Sequence, residues 1–172
     1  MFDSVRRLAL VVAAPVALLG LTAAPAQAET GLPAVTAAGD IAPTATEILA
    51  DEVVALTNEQ RLLVGCDELA VDQELVVASV RQSHYMAATG DFSHFGWRGS
   101  TFETRSRAAG YRDVAAENIA WGFSTSDEVM DAWMASPAHR VNILNCDAKS
   151  FGAGVQQAED GTYYWTQVFG WR

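Results

Sequence analysis

The sequence predicts an α+β domain, and three observations carry that prediction. Apolar residues recur at helical spacing behind side-chain caps through the middle of the chain. Strand-like composition takes over toward the C-terminus, and Glu159-Asp160-Gly161 offers an Asp-Gly turn between the last two strand signals. Helices followed by an antiparallel hairpin indicate helices and sheet in separate layers.

The elements follow in order. Thr44 with Glu47 three residues on makes a capping box, and Ile48, Leu49, Val53, Leu56 and Leu63 then repeat at helical spacing until Gly65 stops the first helix. A second helix starts at Asp72, turns Leu75, Val76, Ser79 and Met86 toward the core, and ends at Thr89-Gly90. Ser100 and Glu103 cap a short third helix that ends at Gly110, and Thr125 and Glu128 cap a fourth carrying Val129, Ala132 and Trp133. Ser136-Pro137 interrupts it. Pro137, with φ preset and no N–H to satisfy, suits the first position of another short helix. Strand signals cover 117–121, 151–157 and 163–169, and the chain holds no internal repeat.

The N-terminal segment reads differently. Arg6 and Arg7 precede a run without charge from Leu8 to Leu21, followed by the small-x-small pattern Ala26-Gln27-Ala28. This is the pattern of a secretory signal peptide over residues 1–28. The run is shorter than the roughly 20 apolar residues a bilayer-spanning helix needs, and no second candidate follows, so a secreted protein without a stable membrane anchor is expected. The Arg6-Arg7 pair leaves general and twin-arginine export both open. Residues 29–43, rich in Ala, Thr, Gly and Pro without period, read as a flexible leader, and residues 44–172 as the domain. Cleavage after Ala28 removes Asp3, Arg6 and Arg7 and moves the net charge from −10 to −11. Such an acidic chain lacks the Lys and Arg excess that drives phosphate binding, which argues against nucleic-acid partners. A monomer is expected. In an oxidising compartment Cys66 and Cys146 read as a disulfide rather than as half of a Cys-His nucleophile pair.

Absent motifs narrow the chemistry. The chain has no H-E-x-x-H, no G-x-S-x-G, no P-loop, no G-x-G-x-x-G after a strand and no zinc-type Cys cluster. Three histidines remain. His84 lies within the second helix and reads as a partly exposed polar position. His94 lies just past a helix stop, His139 one turn into a short helix, and Glu117 at the head of an apolar strand signal. A carboxylate beside two imidazoles can hold a divalent metal such as zinc, or can orient an imidazole for proton transfer. Spacing alone leaves two readings open: one shared site, or three separate hydrogen bonds.

Four segments in order, Phe92-Ser93-His94, Ala116-Glu117-Asn118-Ile119-Ala120, Trp133 through Leu144, and Tyr164-Trp165-Thr166-Gln167-Val168-Phe169-Gly170, resemble the bacterial branch of the CAP superfamily. That superfamily comprises the cysteine-rich secretory, antigen 5 and pathogenesis-related 1 proteins, also called SCP-domain proteins. The resemblance runs from about Ile48 to Arg172. It implies an α-β-α sandwich, with a small antiparallel sheet between helical layers. It also implies a cleft lined by two histidines and two acids that in some members hold a metal. His94, Glu117 and His139 match three of the four; Ser136 stands where the second acid belongs, three residues after Trp133.

The expectation is therefore a cleft of His94, Glu117, His139 and Ser136, with the first three as metal donors and no cofactor required. The expected function is a secreted, non-enzymatic binding module for a small ligand (lipid, glycan or divalent metal) or an extracellular partner. Two alternatives stand beside it: a metal- or His/Glu-dependent extracellular hydrolase with Glu117 and His139 as its catalytic groups, or a purely structural hydrogen-bond network. Trp97, Trp121, Trp133, Tyr163, Tyr164, Trp165 and Trp171 supply aromatic surface or core, and core is expected for most of them.

Overall fold

The structure is a computed structural model that describes residues 42–172. The segment expected to be a signal peptide, 1–28, and nearly all of the expected leader, 29–43, lie outside the described residues. The elements are α1 (Ala45–Leu63), β1 (Ala70–Val71), α2 (Gln73–Thr89), α3 (Phe102–Ala109), β2 (Val114–Trp121), α4 (Ser126–Ala135), α5 (Pro137–Ile143), β3 (Ser150–Gln157) and β4 (Tyr163–Gly170). The sheet order is β1-β3-β4-β2. Helices α1, α4 and α5 cover one face, α2 and α3 the other, giving the expected three-layer α-β-α sandwich.

Most helix starts follow the predicted chemistry. Thr44 and Glu47 form a full capping box, and Asp72 caps α2 by accepting from the N–H groups of Glu74 and Leu75. The third helix departs by one residue: Thr101 and Thr104 cap each other reciprocally, while the Ser100 carbonyl is taken by Gly96 and Arg105. Thr125 accepts from Glu128 N–H, but the Glu128 carboxylate accepts from Ser124 N–H, so that box is not closed. Ile48 and Leu63 are 46% and 73% exposed and do not join the core; the buried stripe of α1 is Val53, Thr57 and Arg61.

The sheet is mixed rather than purely antiparallel, because the two-residue β1 pairs with Ser150 and Phe151 of β3 in parallel. A strand that short leaves no period to read. β2 begins at Val114, before the first residue expected, and a bulge between Val114 and Ala116 shifts its register against β4. The β3–β4 hairpin closes over residues 158–162, with Gly161 at φ 90° and Asp160 accepting from Thr162 N–H.

Pleating divides the core. Phe151, Ala153 and Val155 of β3, with Trp165 and Phe169 of β4, pack with Val53, Trp133 and Ile143 on the α1 side. On the α2 side the packing is closer, and glycine allows it. A Cβ built at Gly152 would strike the backbone of Leu75 and Val76, and one at Gly154 the backbone of Ser79 and Val80. Helix α2 can therefore lie directly on the strand, and the Ser79 and Ser83 hydroxyls donate to the Gly152 and Gly154 carbonyls, each at 2.8 Å. Gly154→Ala is expected to cost about 3 kcal/mol by overpacking. Gly90→Ala, at φ 70° with open space around its Cβ position, should cost only about 1 to 2 kcal/mol of left-handed strain. Urea titrations of the two variants check the order.

The disulfide joins Cys66 to Cys146 across a separation of 80 residues, with Cα atoms 5.0 Å apart. Beside it the fully buried Arg61 donates four hydrogen bonds of 2.8 to 3.2 Å to the carbonyls of Asp67, Ile143, Asn145 and Ala148. Burial pushes its guanidinium below the ordinary arginine range, partly opposed by the charge of Asp67. The end of α1 is thereby tied to the segment that leads from α5 into β3.

Candidate functional site

β2 is an outer strand of the sheet, and its alternation sorts the A-E-N-I-A segment between the two layers. Asn118 turns to the α1 and α5 side. It donates to the His139 carbonyl and to Gln167 Oε1, and accepts from Asn142 Nδ2 at 2.8 Å. Gln167 in turn donates to Thr57 on α1 at 2.8 Å. These motif residues form a buried amide network that ties α1, α5, β2 and β4 together, which is structural work.

Glu117 turns to the other side. Its carboxylate is 1% exposed, with Oε1 2.9 Å from His94 Nδ1 and Oε2 2.5 Å from Arg105 Nη2. Arg105, also buried, donates through Nη1 to the carbonyls of Ser100 and His94, so one side chain holds both the acid and the loop that carries His94. The loop is further fixed by Gln82, which donates to the Ser93 carbonyl, and by Gly96, where a Cβ would collide with Gln82 Oε1. The His94 side chain itself is 54% exposed. Because Glu117 only accepts, Nδ1 of the neutral ring carries the proton and Nε2 keeps its lone pair, as in carboxylate-oriented histidines generally.

Sequence reasoning missed Arg105. The signal was available: the inward face of α3 falls on positions 102, 105, 106 and 109, and a cation on a buried stripe calls for a carboxylate. Arg105→Met is expected to cost about 3 kcal/mol, since it strands a buried carboxylate, and Glu117→Gln in the same chain should recover part of that. A urea-denaturation cycle over the four chains measures the coupling.

His139 reaches the same edge from the opposite layer, on α5. It makes no side-chain hydrogen bond to Glu117, but burial first and the charge of His94 second hold it below the ordinary imidazole value of 6.5. The folded state therefore binds this proton less well than the unfolded chain. Stability from this group is complete above pH 6.5 and declines as the pH falls below it. His139→Gln should flatten the fall in melting temperature between pH 7.5 and 5. Ser136 occupies the position before α5; its carbonyl accepts from the N–H groups of His139 and Arg140, and its side chain makes no capping bond. His84 is exposed on α2.

Within the expected metal triad, Glu117 does not stand as a free donor. Both oxygens of Glu117 are engaged, one of them by a guanidinium whose charge would oppose a bound cation. Among the described residues no group of three or more His, Cys, Asp or Glu side chains is placed to hold a metal ion. What the cluster does present is an oriented imidazole among exposed aromatics. Phe92, Phe95, Trp97 and Trp121 are all exposed, and Phe92 and Trp121 pack with ring centroids 6.3 Å apart. Of the other aromatics named from sequence, Trp133, Tyr164 and Trp165 are buried, Tyr163 is partly buried and Trp171 is exposed. Behind Arg105 a recess of about 700 Å³ opens between α2 and α3, lined by Val80, Tyr85, Ala88, Trp97 and Ala108.

Comparison with known proteins agrees with this fold. The model of the cysteine-rich secretory protein family, CAP, matches residues 54–169. An uncharacterized protein of Bacillus subtilis, YkwD, is 37% identical over 130 residues, covering 74% of this chain and 49% of the relative. An uncharacterized membrane protein of the same organism, YlbC, is 29% identical over 120 residues, covering 69% and 33%. The chain thus spans half or less of the curated relatives it matches. Among solved structures, an extracellular protein containing a SCP domain from Bacillus anthracis is 26% identical with a TM-score of 0.67, covering 74% of this chain and 41% of that one. An outer surface protein of Borrelia burgdorferi, 20% identical, shares the fold with a TM-score of 0.64, over 71% of this chain and 91% of that one. With the family model spanning most of the described domain and the sandwich assembled as that family's fold requires, the chain belongs to the cysteine-rich secretory protein (CAP) family.

Proposed function

We propose that the protein is a secreted, monomeric CAP-domain module that captures a small amphipathic ligand at the β2 edge without turning it over. One observation carries the reading. A half-exposed imidazole, anchored by the buried Glu117–Arg105 pair, stands among aromatic side chains that remain exposed to solvent. His94 Nε2 accepts a hydrogen bond from a polar group, while Phe92, Phe95, Trp97 and Trp121 offer apolar surface of the kind that receives lipids and the faces of sugars. The recess beside Arg105 supports a ligand with an apolar part. Export is supported by the N-terminal pattern, and among the described residues no helix is long and apolar enough to cross a membrane.

Native mass spectrometry of the exported protein, with zinc calorimetry on the wild type and the His94→Ala/His139→Ala chain, tests this. Expected are a retained small molecule in the wild type, its loss in the double variant, and no saturable zinc heat in either. Absence of any retained molecule, in the protein as exported and after incubation with cell-envelope extract, would overturn it. The hydrolase reading, expected to rest on Glu117 and His139, draws more support from the His94–Glu117 pair, which resembles the base half of a proton-transfer dyad. It requires turnover of an envelope or peptide substrate that His94→Ala abolishes while circular dichroism stays unchanged.

A further inference from the structure

The opposite edge of the sheet carries a second feature. β1 pairs with only Ser150 and Phe151, whereas β3 continues to Gln157, so six of its eight residues have no neighbouring strand on that side among the described residues. Asp72 N–H donates to the Phe151 carbonyl, which shows that Phe151 points its backbone groups at this edge. In an antiparallel ladder such groups alternate, so Ala153 and Val155 direct their N–H and C=O the same way, about 6.8 Å apart. No backbone bond outside the strand ladders uses either residue. An unpaired edge is normally blunted by a charge, a proline or a covering element. Here helices α1 and α2 flank it and leave a groove of about 760 Å³ between the first half of α1 and α2, with Ala153 and Val155, each only 3% exposed, at its floor.

We propose that this groove is a docking site for an extended, basic peptide segment of a partner protein, which adds to the sheet as a strand beside β3. The occupant follows from three features. Evenly spaced backbone donors and acceptors along a strand edge are matched by another strand's backbone. The walls are apolar on both sides, Ala50 and Val54 on α1 and Val76 and Val80 on α2, so side chains pointing alternately up and down each meet one wall. The ionic side chains lining the groove are Glu47 and Asp51, both exposed and both acidic, which selects Lys or Arg on the incoming segment. The groove lies at the opposite edge from the His94 cluster, although Val80 lines both this groove and the recess beside Arg105.

The test uses the isotope-labelled full chain and a capped hexapeptide of alternating Lys and Val. Saturable binding is expected, with hydrogen exchange at the Ala153 and Val155 amides slowed at least tenfold. The Glu-Val counterpart and the fully N-methylated Lys-Val peptide should not bind. Asp51→Lys, on an exposed helix position, should weaken the Lys-Val peptide about fivefold, the size expected when an exposed pair turns from attraction to repulsion. Unchanged exchange at both amides, or equal binding by the N-methylated or the acidic peptide, would overturn the proposal. So would protection that rises with protein concentration alone, because the occupant would then be a second copy of the chain.

Discussion

Arg61→Met should lower the stability of the domain by about 4 kcal/mol. The arginine is fully buried and its four hydrogen bonds end on carbonyls of the segments on either side of the disulfide. Methionine fills much of the volume but donates nothing. Each carbonyl left unpaired in the interior costs about 1 to 3 kcal/mol, and part of the total returns because a charge no longer has to be desolvated. Arg61→Lys keeps the charge yet cannot span four acceptors with one ammonium, so it should recover less than half of the loss. Urea denaturation with an unchanged m-value is the check. A loss under about 1 kcal/mol would mean that the junction finds other donors.

Replacing Cys66 and Cys146 together by serine should cost about 4.5 kcal/mol in the chain-entropy description of a loop with an 80-residue separation. For a domain of this size that is about 15 °C or more in melting temperature. The two losses are not independent. Cys66 N–H donates to the Arg61 carbonyl and Arg61 donates to the carbonyl of Asn145, the neighbour of Cys146, so bridge and guanidinium hold one junction. Once either is gone the junction frays, and the chain lacking both should lose measurably less than the sum. Calorimetry of the single, double and combined chains, under oxidising conditions, measures that shortfall.

Much of the sandwich was legible because its rules are local. Thr44 and Glu47, Asp72, Gly90 and Pro137 act over three or four residues, and each ends or begins a helix where its chemistry predicts. What local rules could not show is contact across distance. The two residues of β1 carry no period, and the inward tilt of Arg61 and Arg105 shows only when their helices are read as stripes that include a cation. Spacing alone left His94, Glu117 and His139 unconnected, and the family resemblance united them. The structure pairs the first two and brings the third to the edge from the other layer. Counting donors alone suggests a metal; asking what else Glu117 binds brings in Arg105, whose charge already answers that of the carboxylate.

The alternation of β2 reaches beyond this chain. Glu117 and Asn118 are neighbours in sequence, yet one serves the imidazole cluster and the other knots four elements of the scaffold. The five-residue segment thus carries two interleaved messages, one in its odd-numbered residues and one in its even-numbered. Selection can erase the first and leave the second readable, so a descendant can keep the family signature and the sandwich after abandoning whatever chemistry the edge once performed.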